Sequence, residues 1–161
     1  MSNHGYFSGN PKTEWLSNPH QGDRNMKLLE DFYFVDPDGD RWLAPKGSII
    51  NGASIPRFLW SSVGSPFVGD YRNASVVHDV GCDDPTQDRK AVDKMFYHAC
   101  RAGGCSSINA RKLYLGVRIG AWASQNNIDP EGAFSTFHNQ LALEDVNSFE
   151  DLQTFVDSKL V

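Results

Sequence analysis

The stretch Tyr71-Arg-Asn-Ala-Ser-Val-Val-His-Asp-Val-Gly-Cys82 decides the fold of this chain, because its residues recur with the period of a helix. The helix is expected to begin at an N-cap residue, Asp70, and to end at about Gly81. One of its faces carries Tyr71, Ser75, His78 and Cys82. The stripe gives His78 a definite direction, and the adjacent Asp79 points about 100° away from it.

A second helix is predicted between Asp84-Pro85 or Thr86 and the Gly103-Gly104 break. Its apolar stripe is made of Val92, Met95, Phe96 and Ala99, and Asp93 borders this stripe. An antiparallel arrangement of the two helices would bring Asp93 to His78. A carboxylate there holds the tautomer of the ring and leaves the other ring nitrogen free to take a proton from water. We therefore predict His78 and Asp93 as catalytic residues.

Asp79 is predicted to face the loop Asn51-Gly-Ala-Ser-Ile-Pro56. Together with carbonyl oxygens of Asn51 and Gly52, its carboxylate would form an all-oxygen shell of the kind that Ca²⁺ prefers. Such a cation polarises an ester carbonyl and stabilises an oxyanion. The structural alternative for the loop is a simple turn in which Gly52 supplies a positive φ. Ser54 lies in no Gly-x-Ser-x-Gly setting, so a serine nucleophile is not predicted.

The rest of the chain predicts an α+β fold, with a small antiparallel sheet followed by a mainly helical half. Strands are expected within 26–35, 41–44 and 48–50, and helices at 57–60, from 106 or 107 to 124, and from 148 onward. Residues 126–147 show no clear periodicity. We divide the chain into an extended arm (1–25), a core domain (26–125) and a C-terminal extension with an amphipathic terminal helix (126–161).

Composition excludes several classes of function. A net charge of −5 gives no electrostatic footprint for nucleic acid. The sequence shows neither a signal peptide nor an apolar run long enough to span a membrane. The 3 cysteines predict reduced thiols rather than a disulfide framework. Zinc bound by His78, Cys82, His98 and Cys100 is the alternative, but residues 98 and 100 point roughly 200° apart on a helix.

At the loop, the His78-Asp79 pair and Arg89, Asp93 and Phe96, the chain resembles an uncharacterised domain family that is widespread in bacteriophages and prophages. The resemblance covers roughly residues 26–122. A weaker resemblance is to small bacterial and fungal phospholipases A2, in which a calcium loop precedes His-Asp on one helix and an Arg, Asp and Phe segment on its antiparallel partner. It implies His78 as general base, Asp93 as its orienter, and Asp79 with the loop as calcium ligands. Asn51 stands where such loops carry Asp, and Cys82 stands where both families commonly have Tyr.

Two functions follow from the resemblances. The first is a phage-encoded, metal-assisted hydrolase of esters or membrane lipid. The second is a virion component of the tail, baseplate or capsid, which uses the same fold as a binding module without catalysis. The partners expected for it are other virion proteins or a second copy of the chain, contacted through the arm and the terminal helix. The expected location is the host cytoplasm, with incorporation into the virion.

Overall fold

A computed structural model describes residues 3–17, 25–52, 54–66, 69–143 and 146–160, and the side chains of residues 142 and 143 are not considered. The remainder of the predicted arm, Ala53 of the predicted loop, and residues 144, 145 and 161 of the predicted extension lie outside these ranges. The strands are β1 (Tyr6–Phe7), β2 (Thr13–Trp15), β3 (Met26–Leu28), β4 (Phe32–Val35), β5 (Arg41–Ala44) and β6 (Ile49–Ile50). The helices are α1 (Arg57–Val63), α2 (Arg72–Asp83), α3 (Arg89–Ala102), α4 (Ser107–Asn126), α5 (Pro130–Leu143) and α6 (Phe149–Lys159).

The described strands form two antiparallel sheets of three strands each, in the orders β1-β4-β5 and β2-β3-β6. The predicted α+β class is confirmed. The single sheet that we expected is wrong, because the segment 26–35 is interrupted between β3 and β4. Asp31 lies in this interruption and accepts a hydrogen bond from the Lys46 backbone N–H at 2.7 Å. The predicted hairpin is present as the β4-β5 pair, and β6 pairs with β3.

The described part of the N-terminal segment is extended and is paired with the sheets. β1 pairs with β4, β2 pairs with β3, and the Phe7 ring stacks on Phe32 with a centroid separation of 5.7 Å. Gly5 makes this approach possible, because its φ is +104° and a Cβ at this position would lie 2.1 Å from the Val35 carbonyl oxygen. The segment is thereby fixed against β4. His4 directly precedes Gly5 and is held next to this contact.

The helices that carry the predicted site begin later than expected. α2 is capped by Tyr71 and not by Asp70, so the predicted N-cap is wrong. The Asp70 backbone instead packs on the Gly103-Gly104 turn, where a Cβ on Gly103 would lie 2.5 Å from the Asp70 carbonyl oxygen. α3 begins at Arg89, because Thr86 donates hydrogen bonds from its backbone N–H and its hydroxyl to Asp84 Oδ1 and forms a turn.

The C-terminal half contains one helix that the sequence pattern did not predict, α5. Its start is stabilised by Asp129, whose carboxylate accepts hydrogen bonds from the backbone N–H groups of Glu131 and Gly132. α6 starts as predicted, with Ser148 Oγ accepting a hydrogen bond from the Asp151 N–H at 3.1 Å. No helix within the described ranges combines the length and the apolar character needed to cross a membrane.

The core lies where α2, α3 and α4 pack together beneath the two sheets. The side chains of Phe32, Phe34, Phe96 and Tyr114 are among the largest that are fully buried there. α1 contacts α4 so closely that a Cβ on Gly116 would lie 2.2 Å from Leu59 Cδ1. This packing holds α2, α3 and the loop before α1 against one another, and the candidate site lies at their junction.

Candidate functional site

A hydrogen bond between α2 and α3 joins His78 to Asp93. His78 Nε2 lies 2.7 Å from Asp93 Oδ1, and both side chains are 0% exposed. The Phe96 ring packs on the imidazole with a centroid separation of 4.4 Å and restricts its orientation. The structure therefore brings together the two residues that the sequence placed on facing helices, and the ring is held firmly in one position.

Two arginines surround the same carboxylate. Arg89, one helical turn before Asp93, donates from Nε to Asp93 Oδ1 at 3.0 Å. Arg118 of α4 places Nη1 3.5 Å from Asp93 Oδ2 and is almost fully buried. Arg118 was not assigned to the site from the sequence. The available signal was its position inside the apolar run Leu115-Gly-Val-Arg-Ile119, where a cation is expected to be buried only with a partner. Asp93 thus joins α2, α3 and α4 through charge.

The pKa values of the pair are shifted in opposite directions. Burial opposes ionisation of both groups and is the largest single influence on each, but the mutual interactions outweigh it. Hydrogen bonds to Asp93 and Cys82 raise the pKa of His78 to about 9, and the His78 and Arg89 contacts lower the pKa of Asp93. At neutral pH the pair is an imidazolium facing a carboxylate.

Asp79 lies on α2 and faces the loop before α1. Asp93 contacts a different side of α2, through His78. Its Oδ2 accepts hydrogen bonds from the backbone N–H groups of Asn51 at 3.1 Å and Gly52 at 2.8 Å. Its Oδ1 accepts from the backbone N–H of Ser54 at 3.3 Å and from the Ser54 hydroxyl. The carboxylate organises the loop through amides, and a cation at this position would have to replace these bonds. Calcium ligation by Asp79, Asn51 and Gly52 stays a prediction.

Ser54 is the site residue that sequence reasoning dismissed. Its Oγ lies 2.9 Å from His78 Nδ1, on the opposite side of the ring from Asp93. Ser54, His78 and Asp93 therefore form a continuous serine, imidazole and carboxylate relay. Sequence spacing could not show this, since tertiary contacts, including the bonds to Asp79, bring the loop to α2. The available signal was the predicted approach of Asp79 to the same loop.

Cys82 contacts the imidazole from the next turn of α2. Its Sγ lies 3.6 Å from His78 Nε2 and 3.7 Å from Nδ1. His78, Cys82 and Asp93 present ligand atoms close enough together to hold one metal ion, and nothing in their arrangement selects calcium or zinc. Among the described residues, His98 and Cys100 do not join His78 and Cys82 in such a cluster, so the alternative zinc set is not assembled. All 3 cysteines are free thiols, as predicted.

A cleft of about 680 Å³ opens beside the relay. Its lining includes Ser54, Asp79, Cys82 and Arg89, together with Gly120 and Ser124 from the C-terminal half of α4. His78 lies behind Ser54 and Cys82 and does not line the cleft itself. The Ser54 hydroxyl is therefore the group of the relay that a molecule in the cleft would meet.

Residues 26–117 match the family described as "Protein of unknown function (DUF1353)". The chain belongs to this family. The matched range contains the loop, the His78-Asp79 pair, Arg89 and Asp93, so every residue of the relay lies inside the DUF1353 region. This confirms the resemblance to an uncharacterised domain family.

Two uncharacterised proteins of Sinorhizobium fredii are similar to the chain. The protein y4jT is 36% identical over 114 residues, which cover 70% of this chain and 33% of y4jT. The protein y4iH is 38% identical over 97 residues, which cover 60% of this chain and 41% of y4iH. The match therefore spans well under half the length of either relative. No solved structure matches the DUF1353 chain.

Proposed function

We propose that the protein is a hydrolase of carboxylic esters in which Ser54 is the nucleophile. The observation that carries the proposal is the relay, in which Ser54 Oγ lies 2.9 Å from His78 Nδ1 and Asp93 Oδ1 lies 2.7 Å from His78 Nε2. These distances match the reach that nucleophile, base and orienting carboxylate require. The sequence predicted a metal-assisted hydrolase in which His78 activates water, whereas the present proposal keeps His78 as the base and Asp93 as its orienter and makes Ser54 the nucleophile.

The reaction begins when neutral His78 accepts the Ser54 proton on Nδ1 while Oγ attacks the ester carbonyl carbon. The carbon–oxygen bond to the alcohol breaks, and His78 returns the proton to the leaving alkoxide. Water then attacks the acyl-serine, its proton passes to His78, and release of the acid restores the Ser54 hydroxyl. Asp93 holds Nε2–H throughout and stabilises the imidazolium.

Charge that develops on the carbonyl oxygen needs a donor in the cleft. The backbone N–H groups of Asn51, Gly52 and Ser54 already donate to Asp79 and hold the loop in place, so we do not assign them this role. Arg89 lines the cleft, and its Nε is fixed on Asp93. We assign Arg89 the stabilisation of the oxyanion, a role for which a preorganised cation is suited.

Because His78 is protonated at neutral pH, we expect the hydrolytic rate to be highest at alkaline pH. While His78 is protonated, Nδ1–H donates to Ser54 Oγ, and the hydroxyl donates to Asp79. Because the pKa of His78 is raised to about 9, the fraction of neutral base grows about tenfold for each pH unit below that value. We expect kcat/KM to rise with pH up to about 9 and then to level off.

The test measures hydrolysis of p-nitrophenyl esters and of phosphatidylcholine, with Ca²⁺ and with EDTA. Ser54→Ala and His78→Gln should each lower kcat/KM by at least about 10³-fold. The matched control is Ser61→Ala, an exposed serine of α1 that does not line the cleft, which should leave the rate unchanged. A folded protein without esterase activity would overturn the proposal. Activity that needs Ca²⁺ and survives in Ser54→Ala would favour the metal-assisted mechanism in which His78 activates water.

A second candidate is a phage virion component that uses the fold as a binding module. The observation in its favour is the complete burial of His78 and Asp93, since a buried ion pair can serve to join helices without any chemistry. This candidate predicts the protein in stoichiometric amounts in purified phage particles, which mass spectrometry can measure. Absence from the particles would count against it.

A further inference from the structure

Outside the cleft, the N-terminal segment contacts α3 through two histidines. His4 Nδ1 lies 3.0 Å from His98 Nδ1, and the ring centroids are 5.3 Å apart. In this contact one Nδ1 carries a proton and donates it to the lone pair of the other. The two rings come from distant parts of the sequence and already direct nitrogen atoms at each other.

We propose that His4 and His98 form a binding site for a divalent transition metal of the zinc type, which links the N-terminal segment to α3. The site is separate from the relay and does not depend on the proposed hydrolase. Two imidazole nitrogens are the protein ligands, and water completes the coordination shell. Imidazole is a ligand that suits Zn²⁺, Cu²⁺ and Ni²⁺.

The separation of the rings fits a tetrahedral ion. With Zn–N bonds of about 2.0 to 2.1 Å, two imidazoles at a tetrahedral angle have nitrogens about 3.3 Å apart and centroids about 5.2 Å apart. The observed centroid separation is 5.3 Å, and the nitrogens are 3.0 Å apart. Metal binding then requires the two nitrogens to move apart by about 0.3 Å and the rings to turn, through their side-chain torsions, until both lone pairs converge on the ion. The Nδ1 proton of the donor ring moves to its Nε2, so that both Nδ1 lone pairs bind the metal.

Both ligands are held before a metal arrives. Gly5 lies against Val35 and Asp36 and fixes the backbone next to His4, whereas His98 projects from the middle of α3. The His98 ring packs on Phe149 with a centroid separation of 5.6 Å. Preorganised ligands lose little freedom on binding, which favours affinity.

The electrostatic surroundings suit neutral rings. Burial, followed by the charges of His4 and Lys94, lowers the pKa of His98 to about 4, while Asp36 and Asp38 oppose this shift. Burial and then Arg101 lower the pKa of His4. Neutral imidazole is the form that binds metals. The two carboxylates on the β4-β5 turn offset the positive charge of Lys94 and Arg101 near the ion.

The test is calorimetric titration of the metal-free protein with Zn²⁺. His4→Gln and His98→Gln should each weaken the binding at least tenfold, because each leaves a single imidazole. His138→Gln, which alters a histidine of α5, and Cys82→Ser are controls that should leave this binding unchanged. Long-range ¹H–¹⁵N spectra should show both Nδ1 atoms shifting on addition of Zn²⁺. Metal should also raise the Tm of the wild type and not that of His4→Gln.

Three results would overturn the proposal. The first is no Zn²⁺ binding by the wild type, and the second is unchanged binding in His4→Gln. The third is loss of all binding in Cys82→Ser, which would assign the metal to His78, Cys82 and Asp93 instead. His4→Gln alters a residue outside the helical core, so it keeps the test valid even where His98→Gln lowers stability.

Discussion

His78 and His98 lie in two consecutive helices of one core, yet their contacts shift the two pKa values in opposite directions. His78 is the more deeply buried of the two, but the carboxylate of Asp93 raises its pKa to about 9. His98 is only half-buried, and burial together with His4 and Lys94 lowers its pKa to about 4. The comparison teaches that a carboxylate partner outweighs burial at His78, whereas at His98, which contacts another imidazole, burial prevails and keeps the ring neutral.

The difference separates two kinds of chemistry. An imidazole bound to a carboxylate accepts and releases a proton near pH 9, and in this protein it also contacts a hydroxyl that faces a cleft. An imidazole bound to another imidazole stays neutral and offers a lone pair. The first arrangement suits proton transfer, and the second suits metal binding.

The largest effect is expected from removing the charge of Asp93. Asp93→Asn removes the buried carboxylate that faces His78 and Arg118, and we expect it to lower the free energy of unfolding by about 3 to 5 kcal/mol. Asp157→Asn is the matched control, because Asp157 is 39% exposed and lies 3.8 Å from Arg118. It should cost less than about 1 kcal/mol. Urea unfolding measures both, and equal losses would contradict the central position of Asp93.

A smaller effect is expected from titrating His78. Its folded pKa of about 9 lies above the ordinary value of 6.5, so its contribution is fully present below pH 6.5 and is lost as the pH rises through about 9. The loss amounts to about 3 kcal/mol. Urea unfolding between pH 6 and pH 10 should show this decline in the wild type and a flatter profile in His78→Gln. A wild-type profile without the decline would show that His78 is not protonated at neutral pH.

The smallest effect is expected from His98, and its sign is opposite. Because the folded pKa of His98 is lowered to about 4, the unfolded chain binds more protons between pH 4 and pH 6.5, and stability falls as the pH falls through that range. Solvent screening at this half-buried ring limits the loss to about 1 kcal/mol. Thermal unfolding in a chelating buffer measures it, and the loss should be absent in His98→Gln. Wild-type stability that falls no further than that of His98→Gln between pH 6.5 and pH 4 would refute this sign.

The sequence predicted the elements whose residues carry a clear local pattern. The helical stripe around His78, the Gly103-Gly104 break and the Ser148 cap each act within a few residues, and the structure contains all three. α5 was missed because its stabilising cap, Asp129, precedes a segment with little periodicity. The split into two sheets depends on a bend that no strand pattern shows.

The sequence predicted only those contacts of the candidate site that follow from local helical patterns. The contact of His78 with Asp93 and the approach of Asp79 to the loop follow from helical directions. Ser54 and Arg118 reach the site only through tertiary packing, from a loop and from a third helix. The pairing of His4 with His98 joins residues that are 94 positions apart, and the sequence gives no local signal for such a contact.

The most direct test of the relay is covalent trapping with a fluorophosphonate. Attack by Ser54 Oγ would form an oxygen–phosphorus bond and release fluoride, and His78 would accept the serine proton. We expect peptide mass spectrometry of the folded protein at pH 9 to find one adduct, on Ser54. The adduct should be absent in Ser54→Ala and strongly reduced in His78→Gln. No adduct on the wild type, or an adduct that persists in Ser54→Ala, would contradict the relay.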